Sequence, residues 1–357
     1  TVLSMPGASS GKSGTTGATS GTADGSGTQA AGTTDSTGSQ AADTANSTAS
    51  QSTAATDTAA ASQSTAATDT AAASQTTGSD SDTISGASVT ADAAKEIAQK
   101  YYGASSADGK EYTEYVDMRY EDFFEKLNGG AEVSTSQPSP AALTDMWDNI
   151  LKDFDELVYI PMSSGLSGTY STAAALSEEY NGRVFVADSR RISVTLSSDV
   201  FKALRLANNG LSAAEITEDL NRSADMQSIY VAVNTLEHLK KSGRVTAAGA
   251  AIGTLLGIKP VLQIQGGKLD AYKKVRGMKS AADAMLDGIE NDFKTRFAGK
   301  DVQIRAAFSG NRKIGEDWRQ AVANRFPDFE IGLDALPISI SCHVGADALG
   351  IGISVIS

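Results

Sequence analysis

The chain has 357 residues, of which 43 are acidic and 30 basic, and its formal net charge at pH 7 is −13. This acidic balance excludes a non-specific nucleic-acid-binding protein, which needs Lys and Arg to displace phosphate counterions. One cysteine, Cys342, excludes a disulfide framework, and with two histidines it leaves too few ligands for a Cys/His zinc site. The sequence has no apolar run of roughly 18 residues, so it predicts no transmembrane segment.

Residues 8–88 are predicted to form a disordered, low-complexity insert after a short strand at 1–7. Phe, Tyr and Trp are absent from the first 100 residues, and the segment STAATDTAAASQ occurs twice, at 52–63 and 64–75. With so few large apolar side chains, burial cannot offset the entropy lost on ordering the backbone. Gly11-Lys12-Ser13 does not complete a phosphate-binding loop, because Pro6 occupies the position where that loop needs glycine.

From about residue 89, short apolar runs alternate with stretches of helical pattern. Strands are predicted at 157–161, 183–187, 228–233, 260–264, 268–272, 302–307, 329–334 and 350–356, with a Gly266-Gly267 hairpin turn. Helices are predicted at 90–102, 120–127, from Pro140, and at about 170–180, 197–208, 280–297 and 314–325. This alternation is typical of a parallel sheet wrapped by helices. The sequence therefore predicts two α/β domains with a cleft between them, residues 1–7 and 89–225 forming the first and 226–357 the second.

Two hydroxyl-rich segments are candidate binding sites for an anion. The segment 163–170 (SSGLSGTY) follows a predicted strand and precedes a predicted helix, which is where open α/β sheets bind ligands. Its alternative interpretation is an ordinary serine cap with glycines in a tight turn. In the segment 135–140 (TSQPSP), Ser139 and Pro140 are typical of a helix start, which leaves Thr135 and Ser136 for another role.

Histidine and arginine supply further candidate site residues. His343 is predicted to lie in a turn before the last strand, and Arg244 in a tight turn at 242–245. A serine hydrolase would pair Ser164 or Ser167 with His343, and Asp188 could orient the imidazole. The segment Gly165-Leu-Ser-Gly168 does not match the Gly-x-Ser-x-Gly pattern of such enzymes.

Taken together and in order, seven segments resemble the DegV family of bacterial fatty-acid-binding proteins. They are 135–140 (TSQPSP), 163–170 (SSGLSGTY), 188–189 (DS), 235–245 (TLEHLKKSGRV), 255–260 (LLGIKP), 274–277 (KVRG) and 343–345 (HVG). The resemblance implies two α/β domains with a lipid-binding cleft between them. It also implies a non-catalytic, cytoplasmic protein that carries a long-chain fatty acid and needs no cofactor.

The resemblance also implies a partner and a set of binding residues. Family members are the lipid-carrying subunits of a fatty acid kinase, whose ATP-dependent partner converts the bound carboxylate into an acyl phosphate. Thr135, Ser136, His343 and one of Ser163 and Ser164 are expected to hold the carboxylate. Arg244 is expected to lie near the mouth of the site, where the kinase subunit docks.

The sequence departs from the family pattern in several places. The family opens with a strand and an Asp-Ser-rich turn that have no counterpart here, and residues 1–6 resemble its second strand. A glycine pair that usually follows Asp-Ser is replaced near Val194–Ser198. Ala346-Asp347 replaces a usual Pro-Gly, and Asp347 would bring a negative charge close to the carboxylate. A degenerate paralogue that binds nothing is therefore a third alternative, beside the carrier and the hydrolase.

Overall fold

The structure is a computed structural model that describes residues 2–5, 104–114, 116–251 and 257–356. By its contacts the chain divides into two units, and the unit with the described residues comprises Thr1–Ser9 and Asp82–Ser357. The other unit, Ser10–Ser81, lies outside the described residues, as do the predicted insert at 8–88 and the predicted helix at 90–102.

The described residues form twelve strands in three sheets, with ten α-helices and one short 3-10 helix at Glu178–Tyr180. The strands are β1 Val2–Met5, β2 Ala104–Ala107, β3 Lys110–Thr113, β4 Val133–Thr135, β5 Glu156–Tyr159, β6 Val184–Val186, β7 Gln227–Ala232, β8 Ile258–Ile264, β9 Leu269–Arg276, β10 Val302–Phe308, β11 Gly332–Ala335 and β12 Leu349–Val355. The helices are α1 Tyr120–Asn128, α2 Pro140–Ile150, α3 Thr169–Ser177, α4 Ser193–Asn208, α5 Ala213–Arg222, α6 Glu237–Ser242, α7 Ala247–Ala250, α8 Gly277–Lys294, α9 Arg312–Arg325 and α10 Ile338–Val344. The predicted α/β class is confirmed, and the division into two domains at 225/226 stays a prediction.

The predicted parallel sheet is wrong for the largest sheet, which has the strand order β11-β10-β12-β7-β8-β9. Within it, only the β10–β11 pair is parallel among the described strands, and the other four pairs are antiparallel. The alternation of strands and helices is a local pattern in the sequence. The direction of a strand within the sheet depends instead on which strand, distant in the sequence, it pairs with. Here β12 lies between β10 and β7, and a hairpin joins β8 to β9. The smaller sheet β1-β5-β6 does pair β5 with β6 in parallel.

The six-stranded sheet has two apolar faces, because successive side chains of a strand point to opposite sides. Tyr230 and Ile351 belong to the core cluster formed with α8 and α9. Ile229 and Val231 point to the other face, where they cluster with Val194 at the start of α4 and with other apolar residues. A strand that is buried on both faces has a continuous run of apolar residues in its sequence. Such a run predicts β7.

The second face of the sheet is approached by the loop between β5 and α3, which touches the β8–β9 hairpin turn. Gly266 and Gly267 have φ of +109° and +90°, so the predicted glycine hairpin turn is confirmed. Ser163 Oγ donates a hydrogen bond of 2.7 Å to the carbonyl oxygen of Gly267. A Cβ atom placed on Gly165 would lie 2.4 Å from that same oxygen. The two backbones can therefore approach this closely only while residue 165 is glycine.

We expect Gly165→Ala to destabilise the protein by about 1–3 kcal/mol, because its methyl group forces two backbone segments apart. Gly168→Ala is the matched control, since a Cβ there meets Oε1 of the Gln137 side chain, which can move, at 2.7 Å. Urea unfolding monitored by circular dichroism gives both free energies. Equal stability of the two variants would show that the contact between the loop and the turn does not constrain the fold.

Candidate functional site

A cavity of about 410 Å³ lies against the second face of the six-stranded sheet. Its volume falls in the range of roughly 300–1,000 Å³ that small-molecule sites have. The wall also takes residues from α2, α4 and α10 and from the loop between β5 and α3. Most of it is apolar, with side chains such as Leu166, Val194, Ile229, Val231, Ile264 and Leu336. The cavity is therefore suited to a ligand that is mainly hydrocarbon.

One part of the cavity wall is polar. The Thr135 hydroxyl oxygen and His343 Nε2 are 3.0 Å apart, in a hydrogen bond that joins the end of β4 to α10. Further polar side chains of the wall are Ser136, Gln137, Ser167, Thr169, Ser193, Ser339 and Arg244. The predicted site residues Thr135, Ser136, His343 and Arg244 thus all line one cavity.

His343 lies on a helix, not in the turn predicted before the last strand. The carboxylate of Glu114 is fully buried and accepts hydrogen bonds from the first two backbone N–H groups of α10. Just beyond the other end, Ser309 Oγ donates to the carbonyl oxygen of Gly345 at 2.6 Å. The sequence of α10 has few strong helix formers, so these two distant contacts stabilise a helix that local propensity does not favour. They also fix the position of His343.

The imidazole of His343 is neutral at physiological pH. Burial, and then the positive charge of Arg244, lower its pKa from 6.5 to about 4. A neutral imidazole donates from one nitrogen and accepts at the other. Nδ1 has no hydrogen-bond partner within the described part of the chain, while Nε2 contacts Thr135. When Nε2 carries the proton and donates it to Thr135, the hydroxyl hydrogen of Thr135 is free for a ligand.

Arg244 lies at an opening of the cavity, because it lines the wall and is exposed to solvent, as Ser136 and Gln137 also are. It follows Gly243, whose φ of +68° ends α6 and makes the predicted tight turn. Its guanidinium donates to the carbonyl oxygen of Ser242. The next residue, Val245, pairs with Leu269 at the edge of β9. The opening at Arg244 therefore lies on the β9 side of the sheet.

Ser163 and Ser164, two of the predicted site residues, are placed outside the described cavity wall. Ser163 is buried and bonds to the β8–β9 turn through Gly267. The Ser164 hydroxyl donates to Asp188 Oδ2 at 2.6 Å. Both hydroxyls therefore hold the loop in place. The predicted loop does reach the cavity wall, but through residues other than these two serines.

Ser167 and Thr169 are the hydroxyls that this loop contributes to the wall. Their oxygens are 2.9 Å apart, and Ser167 Oγ also accepts a hydrogen bond from the backbone N–H of Thr169. The sequence marks the whole segment 163–170 as a candidate anion site, but in it Ser167 is singled out only as a nucleophile and Thr169 is not singled out. Four of the eight residues of the segment are Ser or Thr, so only the turn geometry distinguishes those that face the cavity.

The hydroxyl–imidazole contact of a hydrolase triad is made here by Thr135 and not by either proposed serine. Ser164 bonds to Asp188, and Ser167 bonds to Thr169. A pKa of about 4 also makes the His343 imidazole a weak general base at neutral pH. These contacts do not favour the serine hydrolase alternative.

Asp347 does not bring its charge to the cavity wall, contrary to the expectation from the sequence. It has a positive φ of +56°, and its Oδ1 lies where it would be 3.3 Å from a Cβ placed on Gly310. Of the described residues that line the cavity, Arg244 is the only one with a formal charge at neutral pH. The cavity can therefore accept an anionic group without repulsion from its own wall.

Two kinds of feature are absent from the described residues. Among them, no group of three or more His, Cys, Asp or Glu side chains is arranged to hold a metal ion. Within the same residues, no helix combines the length and apolar character needed to cross a membrane.

The sequence model of a protein family, described as "Uncharacterised protein, DegV family", matches residues 106–355 of this chain. The chain belongs to the DegV family. A DegV domain-containing protein of Deinococcus radiodurans is 30% identical over 254 residues, which cover 70% of this chain and 88% of that protein. The match includes all the described residues that line the cavity.

Solved DegV structures share this fold. A fatty acid binding DegV family protein from Thermus thermophilus is 28% identical to this chain, with a TM-score of 0.64. The match covers 71% of this chain and 90% of that protein. A fatty acid binding DegV family protein from Streptococcus agalactiae is 26% identical with a TM-score of 0.64, with the same coverages of 71% and 90%.

We expect His343→Gln to reduce the loss of stability of ligand-free protein between pH 6.5 and 4. The folded state binds a proton at His343 less readily than the unfolded chain, so this histidine's contribution is present above pH 6.5 and lost as pH falls towards about 4. At about 1.4 kcal/mol per pKa unit, the effect is at most roughly 3–4 kcal/mol. Thermal melts of wild type and of the variant across this range measure it. An unchanged pH slope in His343→Gln would contradict the prediction.

Proposed function

We propose that this protein binds a long-chain fatty acid in the cavity, with the carboxylate at Thr135 and His343. The observation that carries the proposal is the Thr135–His343 hydrogen bond at the polar part of an otherwise apolar cavity. The T. thermophilus and S. agalactiae proteins described above, which share the fold, support the same ligand class. The protein acts as a carrier and performs no reaction itself.

The apolar wall supplies the affinity for such a ligand. Burying about fourteen methylenes at ~0.8 kcal/mol each contributes roughly 11 kcal/mol before the cost of association. Side chains from the sheet, α4 and α10 surround this hydrocarbon. Selection for an acid over an alkane must then come from the polar groups, because hydrocarbon burial is non-directional.

The carboxylate needs hydrogen-bond donors, since burying it unpaired would be prohibitive. Thr135, Ser136 and His343 line the cavity, and we assign carboxylate binding to them: the two hydroxyls donate to it, and His343 Nε2–H orients the Thr135 hydroxyl. Ser167 and Thr169 are further hydroxyl donors of the wall. Hydrogen bonds to a charged group contribute about 1.5–3 kcal/mol each. Ser163 and Ser164, expected in the same role, support it by fixing the loop.

We further propose that the carrier presents the carboxylate to an ATP-dependent kinase subunit, which phosphorylates it to an acyl phosphate. Neutral donors support this role, because they leave more electron density on the carboxylate than a buried guanidinium would. Arg244, the charged residue of the wall, is exposed at the opening, where a partner and its ATP can approach. A partner that uses cytoplasmic ATP places the carrier in the cytoplasm.

The first test is native mass spectrometry of protein purified from a bacterial host, followed by lipid extraction. We expect a mass increment that corresponds to one fatty acid, because the apolar cavity retains hydrocarbon during purification. A protein that is folded and carries no lipid, and that also fails to take up added fatty acid, would refute the proposal.

Thr135→Val should weaken fatty acid binding by about 10–100-fold, because it removes a donor to a charged group without changing the side chain's shape. Thr135→Ser is the matched control, since it keeps the hydroxyl, and should remain within about threefold of wild type. Displacement of a fluorescent fatty acid measures both affinities.

A second measurement uses the kinase subunit and ATP. The amount of acyl phosphate formed at saturating lipid should also be lower for Thr135→Val than for wild type. Equal affinities of the two variants would remove Thr135 from the site.

A further inference from the structure

The register of the large sheet gives the cavity a direction. Leu269, Ile264, Ile229 and Gly352 are neighbours in one row across β9, β8, β7 and β12. The first three line the cavity, and the opening at Arg244 lies on the β9 side of this row. Because strands are about 4.8 Å apart, β12 lies roughly 14 Å across the sheet from β9. The wall continues across the sheet from Gly350 of β12 to Ala307 of β10, so the end of the cavity far from β9 lies over these two strands.

Two glycines of β12 face the cavity side, and they have different surroundings. A Cβ on Gly352 would lie 2.6 Å from Cγ2 of Val194, so the first turn of α4 covers this position completely. A Cβ on Gly350 would meet its nearest atom, the Cβ of Ala307 in the same sheet, at 3.4 Å. The space above Gly350 therefore belongs to the cavity, whereas the space above Gly352 is filled by Val194.

The backbone at Gly350 is held from the opposite face of the sheet. Trp318 of α9 is buried and donates a hydrogen bond of 2.7 Å to the carbonyl oxygen of Gly350. Gly350 is also paired with Val231 of β7 and with Ala307 of β10. These contacts prevent β12 from moving away easily. A side chain introduced at residue 350 would therefore project into the cavity.

Beyond Val194 the second face of the sheet becomes polar. The next row of neighbours consists of Gln303, Ser354 and Gln227. Ser198 of α4, four residues after Val194, donates a hydrogen bond of 3.2 Å to Oε1 of Gln303. A hydrocarbon chain that extended past Val194 would have to displace these buried polar contacts, which is costly.

A buried ion pair reinforces the same boundary. Arg191, three residues before Val194, is 3.2 Å from Asp199 of α4, and both side chains are at most 1% exposed. The backbone carbonyl of Arg191 also accepts a hydrogen bond from the N–H of Ser163 at 2.8 Å. These contacts hold the segment that precedes α4 and so keep Val194 against Gly352.

We propose that Gly350 and Val194 together set the acyl chain length that the protein accepts. Gly350 provides the room for the last carbons of the chain, and Val194 stops the chain before the polar layer. This inference rests on the proposed function and adds to it the residues that select the ligand.

The test measures binding of saturated fatty acids of about 12 to 20 carbons, each buried methylene changing affinity about fourfold. Gly350→Val fills the end of the cavity and should shift the preferred length to shorter chains, with a loss of at least fourfold for the wild-type optimum. Val194→Ala removes the side chain that ends the cavity. It should raise the affinity for longer fatty acids about fourfold relative to the affinity for shorter ones. Val322→Ala is the matched control, because Val322 is equally buried but lies on the α9 side of the sheet. It should keep the wild-type order of chain lengths.

The two variants predict opposite shifts, so a general loss of stability cannot imitate the result. If wild type binds fatty acids and both variants keep its preferred length, the inference is wrong and the proposed function stands. If wild type binds no member of the series, the proposed function fails and the inference fails with it. Thermal melts of each variant establish that the proteins compared are folded.

Discussion

A sheet with two apolar faces must have both of them covered, and the architecture of this protein follows from that constraint. One face of the six-stranded sheet packs on α8 and α9 and forms the largest core cluster. The other face is covered by α4, α10 and the loop after β5, and these elements leave a cavity of about 410 Å³. A continuous helical layer would have removed this space. The ligand in our proposal therefore completes a hydrophobic core that the chain itself leaves unfinished.

The polar part of the cavity depends on residues that are held from outside it. Glu114 and Ser309 hold the two ends of α10 and thereby position His343, although neither is part of the described wall. Burial keeps the imidazole neutral. The result is a set of donors that carries little charge of its own. Such a set can bind a carboxylate and still leave it reactive towards a phosphoryl donor.

The sequence predicted the class of fold and most elements to within a few residues, because apolar runs and helix caps are local signals. The Ser139 cap and the Gly266-Gly267 turn were confirmed in this way. Strand directions in the large sheet and the helical state of His343 were wrong, since both depend on distant partners. In the candidate site, Thr135, Ser136, His343 and Arg244 were brought together as the family resemblance implied. Ser163 and Ser164 were not, because adjacent hydroxyls can be separated only by the geometry of their turn.

The Thr135–His343 contact joins residues 208 positions apart, and the buried Glu114 reaches α10 across 224 positions. Closing such long loops costs entropy that only the completed contacts repay, and topologies dominated by distant contacts fold slowly. During synthesis the hydroxyls of β4 emerge early, but their imidazole partner emerges almost last. The proposed carboxylate site can therefore be completed only when the chain is almost fully synthesised, and a chain that stops before α10 would lack both its histidine and β12, the strand between β10 and β7 in the large sheet.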